Sequence, residues 1–372
     1  MVSASRLAHA APPGARRTGA PVESAPAPDM VEFGAPEPEQ ASSWKKAAAL
    51  VGLGLTGLGV AAGATALKAP VCDTSIVHVG FDGVCVSPEV ATGANHVTRL
   101  LRTLPHMGLL DDSLASHQSQ LFEPSQATTR PLNDELTVST WNLHHGDRAD
   151  ALGARDQTPE MIEALSEQNA DVYLLQEVAP YHVEALVNGL GMNGYYAQTT
   201  PMQGNLVLVH PQLEVQANTK RVVNYGPETT LDDVNAPRLL LDIPQGRASE
   251  PRVVQVLRVG RPDGNTAVVW NTHLMNGGDS PEERMSQAEN SFAFVDGLAR
   301  PGEAVIGGGD LNSTADSQVL GLLSSHDYEV QGARIDWFGA RGGELTTDVS
   351  QPTSHSGDPL SDHPSVIARL SF

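Results

Sequence analysis

The pattern of apolar and polar positions changes character at residue 135. From there to the C-terminus, short apolar runs of strand length recur between stretches of helical periodicity. The first run, 136–143, alternates and then continues apolar, which is typical of a strand with one buried face. The runs that predict β-strands are 136–143, 171–178, 205–210, 238–243, 252–259, 266–274, 304–306, 334–340 and 365–370.

Four stretches with helical spacing lie between these runs: 159–168, 180–190, 281–298 and 317–323. In the first, Thr158 is expected to cap the helix and Pro159 to begin it. In the third, Phe292 and Val295 are expected to face the core. This mixture of strands and helices predicts an α/β body with more than one layer.

The chain before this body divides into three parts. Residues 1–43 are rich in Ala, Pro and Ser and predict a disordered tail. Residues 44–69 contain an uncharged run, 47–67, preceded by two lysines, which predicts a membrane-spanning signal anchor with the body outside the cytoplasm. A cleaved export signal, which would release the body as a secreted protein, and a buried hairpin of a soluble domain are the alternatives.

Residues 70–134 form a small cysteine-containing segment and a polar linker, so that the catalytic domain is expected at 135–372. Cys72 and Cys85 are the only cysteines, and an oxidising compartment would allow them to form a disulfide. Inert or metal-bound thiols are the alternatives. No protein partner is indicated.

The net charge of −21 limits how the protein could bind a polyanionic substrate. Most of it lies in the body, whose single lysine is Lys220. A strongly acidic surface does not attract polyanions through its overall field. A nucleic acid would therefore have to be held by local arginines and a metal ion.

Polar side chains recur where the apolar runs end. Taken singly, each has a structural explanation as a turn residue, a helix-cap residue or a core histidine. Six segments with the same arrangement are hard to attribute to solvated strand ends, and a strand end is a rigid support for a site. The residues concerned are Asn142, Glu177, His273, Asp310, Asn312, Asp336, Asp362 and His363.

The segment 304–314 is the most concentrated of these. Three glycines, Gly307 to Gly309, precede Asp310 and are expected to let the backbone approach a ligand closely. Asn312 lies two positions further on and is expected to face the same bound group. Of the remaining histidines, His144 and His145 are expected to shape the site as loop residues, whereas His210, His326 and His355 are expected at the surface.

Together these residue types fit one chemistry. Carboxylate and amide oxygens of Asn142, Glu177 and Asp310 are ligands suited to Mg²⁺, with Mn²⁺ or Ca²⁺ as alternatives. The imidazoles of His273 and His363 can donate to a phosphate or move a proton near neutral pH. A metal, an oriented water and hydrogen-bond donors around a phosphate are what hydrolysis of a phosphate ester needs.

The ordered motifs WNLHHG (141–146), DVYLLQEV (171–178), NTHL (271–274), GGDLN (308–312), IDWF (335–338) and SDHPSV (361–366) resemble the endonuclease/exonuclease/phosphatase superfamily. The resemblance implies the DNase I-like fold, a four-layer sandwich of two packed mixed β-sheets flanked by helices. It also implies a divalent-metal-dependent phosphodiesterase or phosphohydrolase, nuclease-like, whose substrate is a phosphate ester of a nucleic acid or of a phospholipid head group. A sphingomyelinase-like hydrolase of phospholipid head groups and a catalytically silent, membrane-anchored binding module are the alternatives.

The resemblance also implies roles for single residues. His273 corresponds to a histidine that contacts the phosphate, and Asp310 with Asn312 to the pair that positions the water and the phosphate. Asp362 and His363 correspond to a carboxylate–histidine pair in which His363 is the general acid or base. The residues implied as metal ligands are Asn142, Glu177, Asp336 and Asp362.

Overall fold

The computed structural model describes residues 116–144, 157–200, 202–224, 251–276 and 281–372, and the backbone of four short strands. Two of these strands, β1 (Val77–Gly80) and β2 (Gly83–Val86), pair with each other, as do β5 (Asp147–Arg148) and β6 (Arg155–Asp156). The tail 1–43, the apolar run 47–67, the cysteine side chains, His145 and the strand predicted at 238–243 lie outside this description. Within the described parts, no helix has the length and apolar character that crossing a bilayer requires.

The first of two large sheets has seven strands in the order β16-β17-β4-β7-β9-β8-β3. Strands β4 and β7 are parallel, and the other neighbours are antiparallel. Its strands are β3 (Gln120–Phe122), β4 (Leu136–Asn142), β7 (Val172–Val178), β8 (Asn193–Gln198), β9 (Gly204–Val209), β16 (Glu344–Ser350) and β17 (Ser365–Ser371).

The second sheet has six strands in the order β10-β11-β12-β13-β15-β14. Here β12 and β13 are the parallel pair. Its strands are β10 (Glu214–Val222), β11 (Val253–Gly260), β12 (Thr266–His273), β13 (Ala304–Asp310), β14 (Glu329–Ala333) and β15 (Asp336–Arg341).

The two sheets pack face to face, and helices cover the outer face of each. Side chains from both sheets, such as Val172 and Ile306, form one core cluster between them. Helices α1 (Thr158–Gln168) and α2 (Val183–Leu190) cover the seven-stranded sheet, and α3 (Pro281–Leu298) and α4 (Gln318–Ser325) cover the other. This confirms the predicted arrangement of two packed mixed sheets with flanking helices, including the burial of Phe292 and Val295.

Helix starts differ from the prediction in two places. Thr158 is the first helical residue rather than the cap, and its hydroxyl contacts Nδ1 of His182. A short 3-10 turn, Pro180–His182, precedes α2. The sequence could not indicate the first difference, because the partner of Thr158 comes from a distant turn.

The apolar pattern missed the edge strands of both large sheets and one inner strand. The edge strands are β3, β10, β14 and β16, and the inner strand is β8. Edge strands keep one side towards water and tolerate polar residues, so they carry little apolar signal. Strand β3 lies in the predicted linker and hydrogen-bonds to β8. The folded body therefore includes residues before 135.

Candidate active site

The inward face of each central strand begins apolar and ends polar, because alternate residues of a strand share a face. In β4, Leu136 and Val138 lie in the core between the sheets, and Asn142 follows on the same face four residues after Val138. In β12, Val269 belongs to the same core and His273 ends the strand on that face. Both sheets therefore present polar side chains at one end of the inter-sheet core.

Register in the six-stranded sheet aligns three of the predicted residues. His273 pairs with Asp310 across the parallel β12–β13 ladder, and Asp310 pairs with Asp336 across the antiparallel β13–β15 ladder. The three residues therefore stand side by side on adjacent strands, although Asp310 and Asp336 come from strands that run in opposite directions.

Glu177 reaches the site through an irregularity in β7. The pairing of β7 with β9 shifts between Leu175 and Val178, and Glu177 has a left-handed φ of 52°. In a regular strand, Glu177 would share the outer face with Tyr173 and Leu175. The bulge re-aims the carboxylate towards the inter-sheet side, a common use of bulges beside functional sites.

Asn142 connects the two halves of the site. Its Nδ2 donates to Oε1 of Glu177 at 3.1 Å and to Oδ2 of Asp310 at 3.0 Å, so that it joins a carboxylate from each sheet. Its Oδ1 accepts from the backbone N–H of His144 at 3.0 Å. The amide is fully buried, and its orientation is therefore set by these three partners.

His363 is paired with Asp336. Its Nδ1 lies 3.1 and 3.0 Å from the two carboxylate oxygens of Asp336, and its Nε2 lies 3.7 Å from Oδ2 of Asp310. The sequence had suggested Asp362 as this partner. The side chain of Asp362 is 66% exposed, and its Oδ1 is 3.9 Å from Nε2 of His363 and 3.6 Å from Nδ1 of His144.

His273 has a partner that the sequence analysis missed. Its Nδ1 lies 3.0 Å from Nη1 of the buried Arg252, and its Nε2 lies 3.5 Å from Oδ2 of Asp310. Arg252 directly precedes β11, and its place beside β12 follows from the antiparallel pairing of those strands. A lone arginine before an apolar run carries no local sign of this contact.

Asn312 acts on the site through Asp310 and the neighbouring loop. Its backbone N–H donates to Oδ1 of Asp310 at 2.9 Å, and its Nδ2 donates to the carbonyl of Leu274 at 2.8 Å. The residue is left-handed, with φ 48°. It therefore lies beside Asp310 as predicted, but the observed contacts orient the carboxylate and the loop after β12.

The three glycines before Asp310 make room for neighbouring strands. A Cβ on Gly307 would lie 2.2 Å from the carbonyl oxygen of Trp270, one on Gly308 1.9 Å from that of Trp337, and one on Gly309 1.9 Å from that of Thr272. Within the described structure, they allow β12 and β15 to approach β13, and the expected close approach of a ligand stays a prediction.

Burial and neighbouring charges perturb the pKa values of the site residues. Burial, followed by the charge of Asp336, raises the pKa of Asp310 to about 7. Burial also raises the pKa of Asp336. Burial acts to lower the pKa of His363, but the hydrogen bond and charge of Asp336 outweigh it and raise that pKa to about 9. Paired perturbed groups of this kind are typical of functional sites.

A layer of buried amides lies directly beneath these residues. Nε2 of Gln176 donates to Oγ1 of Thr140 at 3.0 Å and to Oδ1 of Asn271 at 2.8 Å. Asn271 donates in turn to Oε1 of Gln255 at 3.2 Å, and Gln255 to Oγ of Ser119 at 2.9 Å. This amide layer links the two sheets with hydrogen bonds one or two residues away from Asn142, Glu177 and His273.

The donor set fits a divalent cation. Asp310, Asp336 and His363 each offer a ligand atom, and these atoms lie within 4.8 Å of one another. Glu177 adds a carboxylate on the other side of Asp310 through their shared partner Asn142. The raised pKa values of Asp310 and Asp336 indicate that too little positive charge surrounds these buried carboxylates. A bound cation would supply that charge.

The remaining histidines lie apart from this cluster or at its margin. The side chain of His144 is 53% exposed and borders Asp362. His210, which was expected at the surface, is fully buried, and its Nε2 contacts the carbonyl of Arg130 at 3.0 Å. His326 is partly buried and its Nδ1 contacts Oδ2 of Asp296 at 2.5 Å, whereas His355 is exposed as expected.

The fold and the site define a class of phosphoric ester hydrolases, and the comparisons agree. The model of the Endonuclease/Exonuclease/phosphatase family matches residues 139–363, more than half of the chain. The chain therefore belongs to this family. A comparison with curated protein sequences gave no match.

Solved structures with this fold include three of clear similarity. An endonuclease/exonuclease/phosphatase from Bacteroides vulgatus is 15% identical with a TM-score of 0.52 and covers 64% of this chain and 100% of its own. A functionally unknown protein from Enterococcus faecalis V583 is 16% identical with a TM-score of 0.52, covering 63% and 99%. A mannosyl-6-phosphatase from Bacteroides thetaiotaomicron VPI-5482 is 15% identical with a TM-score of 0.51, covering 64% and 100%. At this identity they establish the fold alone.

Proposed function

We propose that this protein is a divalent-metal-dependent phosphodiesterase that hydrolyses a phosphate ester by means of an activated water. One observation carries the proposal. Carboxylates from both sheets, Glu177 and Asp310, share the amide of Asn142, while His273 and His363 approach the same oxygen of Asp310 at 3.5 and 3.7 Å. Hydrolysis of a phosphate ester needs cation ligands, a proton acceptor and hydrogen-bond donors to phosphate within one small space.

The carboxylates of Glu177, Asp310 and Asp336 would hold the ion, with Asn142 beside them. When bound, a divalent cation polarises the phosphoryl oxygens and neutralises developing negative charge. Asp336 accepts a hydrogen bond from Nδ1 of His363, so that in the neutral ring Nε2 is the nitrogen that takes a proton from an attacking water. A cation held by the adjacent carboxylates would counter the raised pKa of His363 and favour the neutral ring. Mg²⁺ is the proposed ion, with Mn²⁺ or Ca²⁺ as alternatives, because oxygen donors predominate.

A nucleic acid is the proposed substrate, and a phospholipid head group is the alternative. The acidic body disfavours long-range attraction of a polyanion such as a nucleic acid. Binding would then depend on contacts at the scissile phosphate itself, which the compact site provides. A catalytically silent module is less well supported, because the predicted acid, amide and imidazole groups are retained and the central ones lie together.

The test is a substrate panel with the purified full-length protein, with Mg²⁺ or with chelator. The substrates are plasmid DNA, RNA, sphingomyelin vesicles and inositol phosphates. We expect metal-dependent hydrolysis of DNA or RNA that His363→Ala abolishes, whereas His117→Ala, at an exposed histidine outside the site, retains it. Hydrolysis of sphingomyelin alone would select the lipid alternative. Metal-independent turnover, or full activity of His363→Ala, would overturn the proposal.

We also propose, from the sequence alone, that residues 47–67 anchor the protein in a membrane with the catalytic domain outside the cytoplasm. The run is uncharged and about as long as a helical span needs to be. Carbonate extraction of membranes from expressing cells tests this. Full-length protein in the soluble fraction would refute the anchor, and loss of the N-terminal segment from secreted protein would indicate cleavage.

A further inference from the structure

The two site histidines are each held at Nδ1 by a charged side chain, and the two charges have opposite sign. Nδ1 of His273 lies 3.0 Å from Nη1 of Arg252. Nδ1 of His363 lies 3.0 Å from Oδ2 of Asp336. The two rings are therefore anchored in the same way but by partners with opposite hydrogen-bonding capacity.

This difference determines where each ring carries its proton. A guanidinium has only donors, so Nδ1 of His273 must be the acceptor in its bond with Arg252, and the ring proton is on Nε2. A carboxylate accepts, so His363 carries a proton on Nδ1, and its unprotonated nitrogen in the neutral ring is Nε2. The hydrogen-bond partners thus assign opposite tautomers to the two neutral rings.

Both Nε2 atoms face the same place. That of His273 lies 3.5 Å and that of His363 lies 3.7 Å from Oδ2 of Asp310. Once His363 has lost the proton that its raised pKa favours, one N–H donor and one proton acceptor meet at the carboxylate that also accepts from Asn142. A reacting phosphate and its attacking water need one group of each kind.

We propose that Arg252 is a positioning residue that fixes His273 as a hydrogen-bond donor through Nε2. This inference rests on the proposed function of the site. Arg252 is suited to the task because it is 9% exposed and its backbone is fixed on both sides. Its carbonyl accepts from the N–H of Val223 at 2.8 Å, and its N–H donates to Oδ1 of Asn224.

The tautomers can be measured without turnover. Ring-¹⁵N-labelled histidine in the metal-free full-length protein should show His273 with a protonated Nε2 and an unprotonated Nδ1. When arginine is ¹⁵N-labelled as well, a scalar coupling across the hydrogen bond should connect Nδ1 of His273 with the guanidinium nitrogen of Arg252, and Arg252→Lys should remove it. A proton on Nδ1 of His273, or no coupling in the unsubstituted protein, would overturn the assignment.

Activity variants test the role in the reaction, with bis(p-nitrophenyl) phosphate and Mg²⁺ as probe. His273→Leu should lower kcat about 100-fold or more, as loss of a transition-state donor does. His273→Gln, which retains an N–H donor, should recover part of that loss. Equal loss in both variants would show that the ring moves a proton, and it would overturn the donor role.

The Arg252 variants separate positioning from substrate binding. Arg252→Met should lower kcat about 100-fold with little change in KM, because a misplaced donor affects the transition state. Arg300→Lys, at an exposed arginine outside the site, should change neither. A rise in KM alone would overturn positioning in favour of direct binding. Correct tautomers in a protein that hydrolyses no phosphate ester would instead overturn the proposed function.

Discussion

Nδ2 of Asn142 donates to Oδ2 of Asp310 over 3.0 Å, although 168 positions separate the two residues. The first ends a strand of the seven-stranded sheet and the second ends a strand of the six-stranded sheet. The site therefore exists only while the two sheets keep their packing. Substitutions that loosen the interface should reduce activity even where they contact no substrate.

Replacement of Asp310 by asparagine should separate activity from stability. The buried carboxylate is repelled by Asp336, but each of its oxygens accepts from an N–H donor, so Asp310→Asn removes the repulsion at the cost of one hydrogen bond. It should therefore change the midpoint of thermal unfolding of the metal-free protein little. It should lower kcat about 1000-fold, because the shared partner of Asn142 and both histidines loses its charge.

Kinetics of phosphodiester hydrolysis and thermal unfolding in chelator measure the two effects. Asp316→Asn is the matched control, because Asp316 follows on the same segment and is fully exposed. A large fall in the unfolding midpoint of Asp310→Asn would mean that the carboxylate stabilises the fold rather than straining it.

The amide layer should couple stability to activity. Gln176→Leu leaves Oδ1 of Asn271 and Oγ1 of Thr140 without their donor, so we expect a loss of about 1–3 kcal/mol in the free energy of unfolding. A double replacement with Asn271→Leu should cost less than the sum of the two single changes, because both partners then become apolar. Urea denaturation of the four proteins gives the coupling energy, and strict additivity would argue against the layer.

Gly308, the second of the three glycines before Asp310, should not accept a side chain. A Cβ on Gly308 would lie 1.9 Å from the carbonyl oxygen of Trp337, next to Asp336, so Gly308→Ala must displace β15. We expect a loss of about 3 kcal/mol or more in stability, together with lost activity. The control is Gly297→Ala in α3, where no atom lies within 4 Å and where the change should stabilise by about 0.5–1 kcal/mol.

A buried ion pair far from the site should govern part of the acid sensitivity. Nε of Arg258 lies 2.8 Å from Oε1 of Glu303, whose side chain is 4% exposed. Burial acts to raise the pKa of Glu303, but the hydrogen bonds from Arg258, the backbone of Arg300 and Thr266, together with the charge of Arg258, outweigh it, and the net pKa is lowered. A lowered folded-state pKa adds stability that is present above the ordinary glutamate pKa of about 4.3 and is lost as pH falls through the folded value.

Glu303→Gln should therefore reduce the free energy of unfolding by about 2 kcal/mol at neutral pH. The difference from the unsubstituted protein should shrink as the solution is acidified through the folded-state pKa of Glu303. Urea denaturation across this range measures it. A deficit that stays constant with pH would show that lost packing, not lost charge, accounts for the effect.

The central strands and the outer helices could be predicted from the sequence, because their buried side chains recur with the periodicity of a strand or of a helix. The motifs in chain order also predicted the family, the two-sheet sandwich and the set of polar residues at strand ends. The edge strands escaped, since edges such as β10 and β14 keep polar residues on a half-solvated backbone.

Only the tertiary structure determines which side chains of the site are hydrogen-bond partners. Whether His363 pairs with Asp336 or with the adjacent Asp362, and whether His273 meets Arg252, depends on strand register and on which side chain turns to solvent. Hydrogen bonds between distant segments have no local periodicity that a sequence could record. The sequence therefore determines which chemical groups the site can contain, and the packing of the two sheets determines which of these groups come into contact.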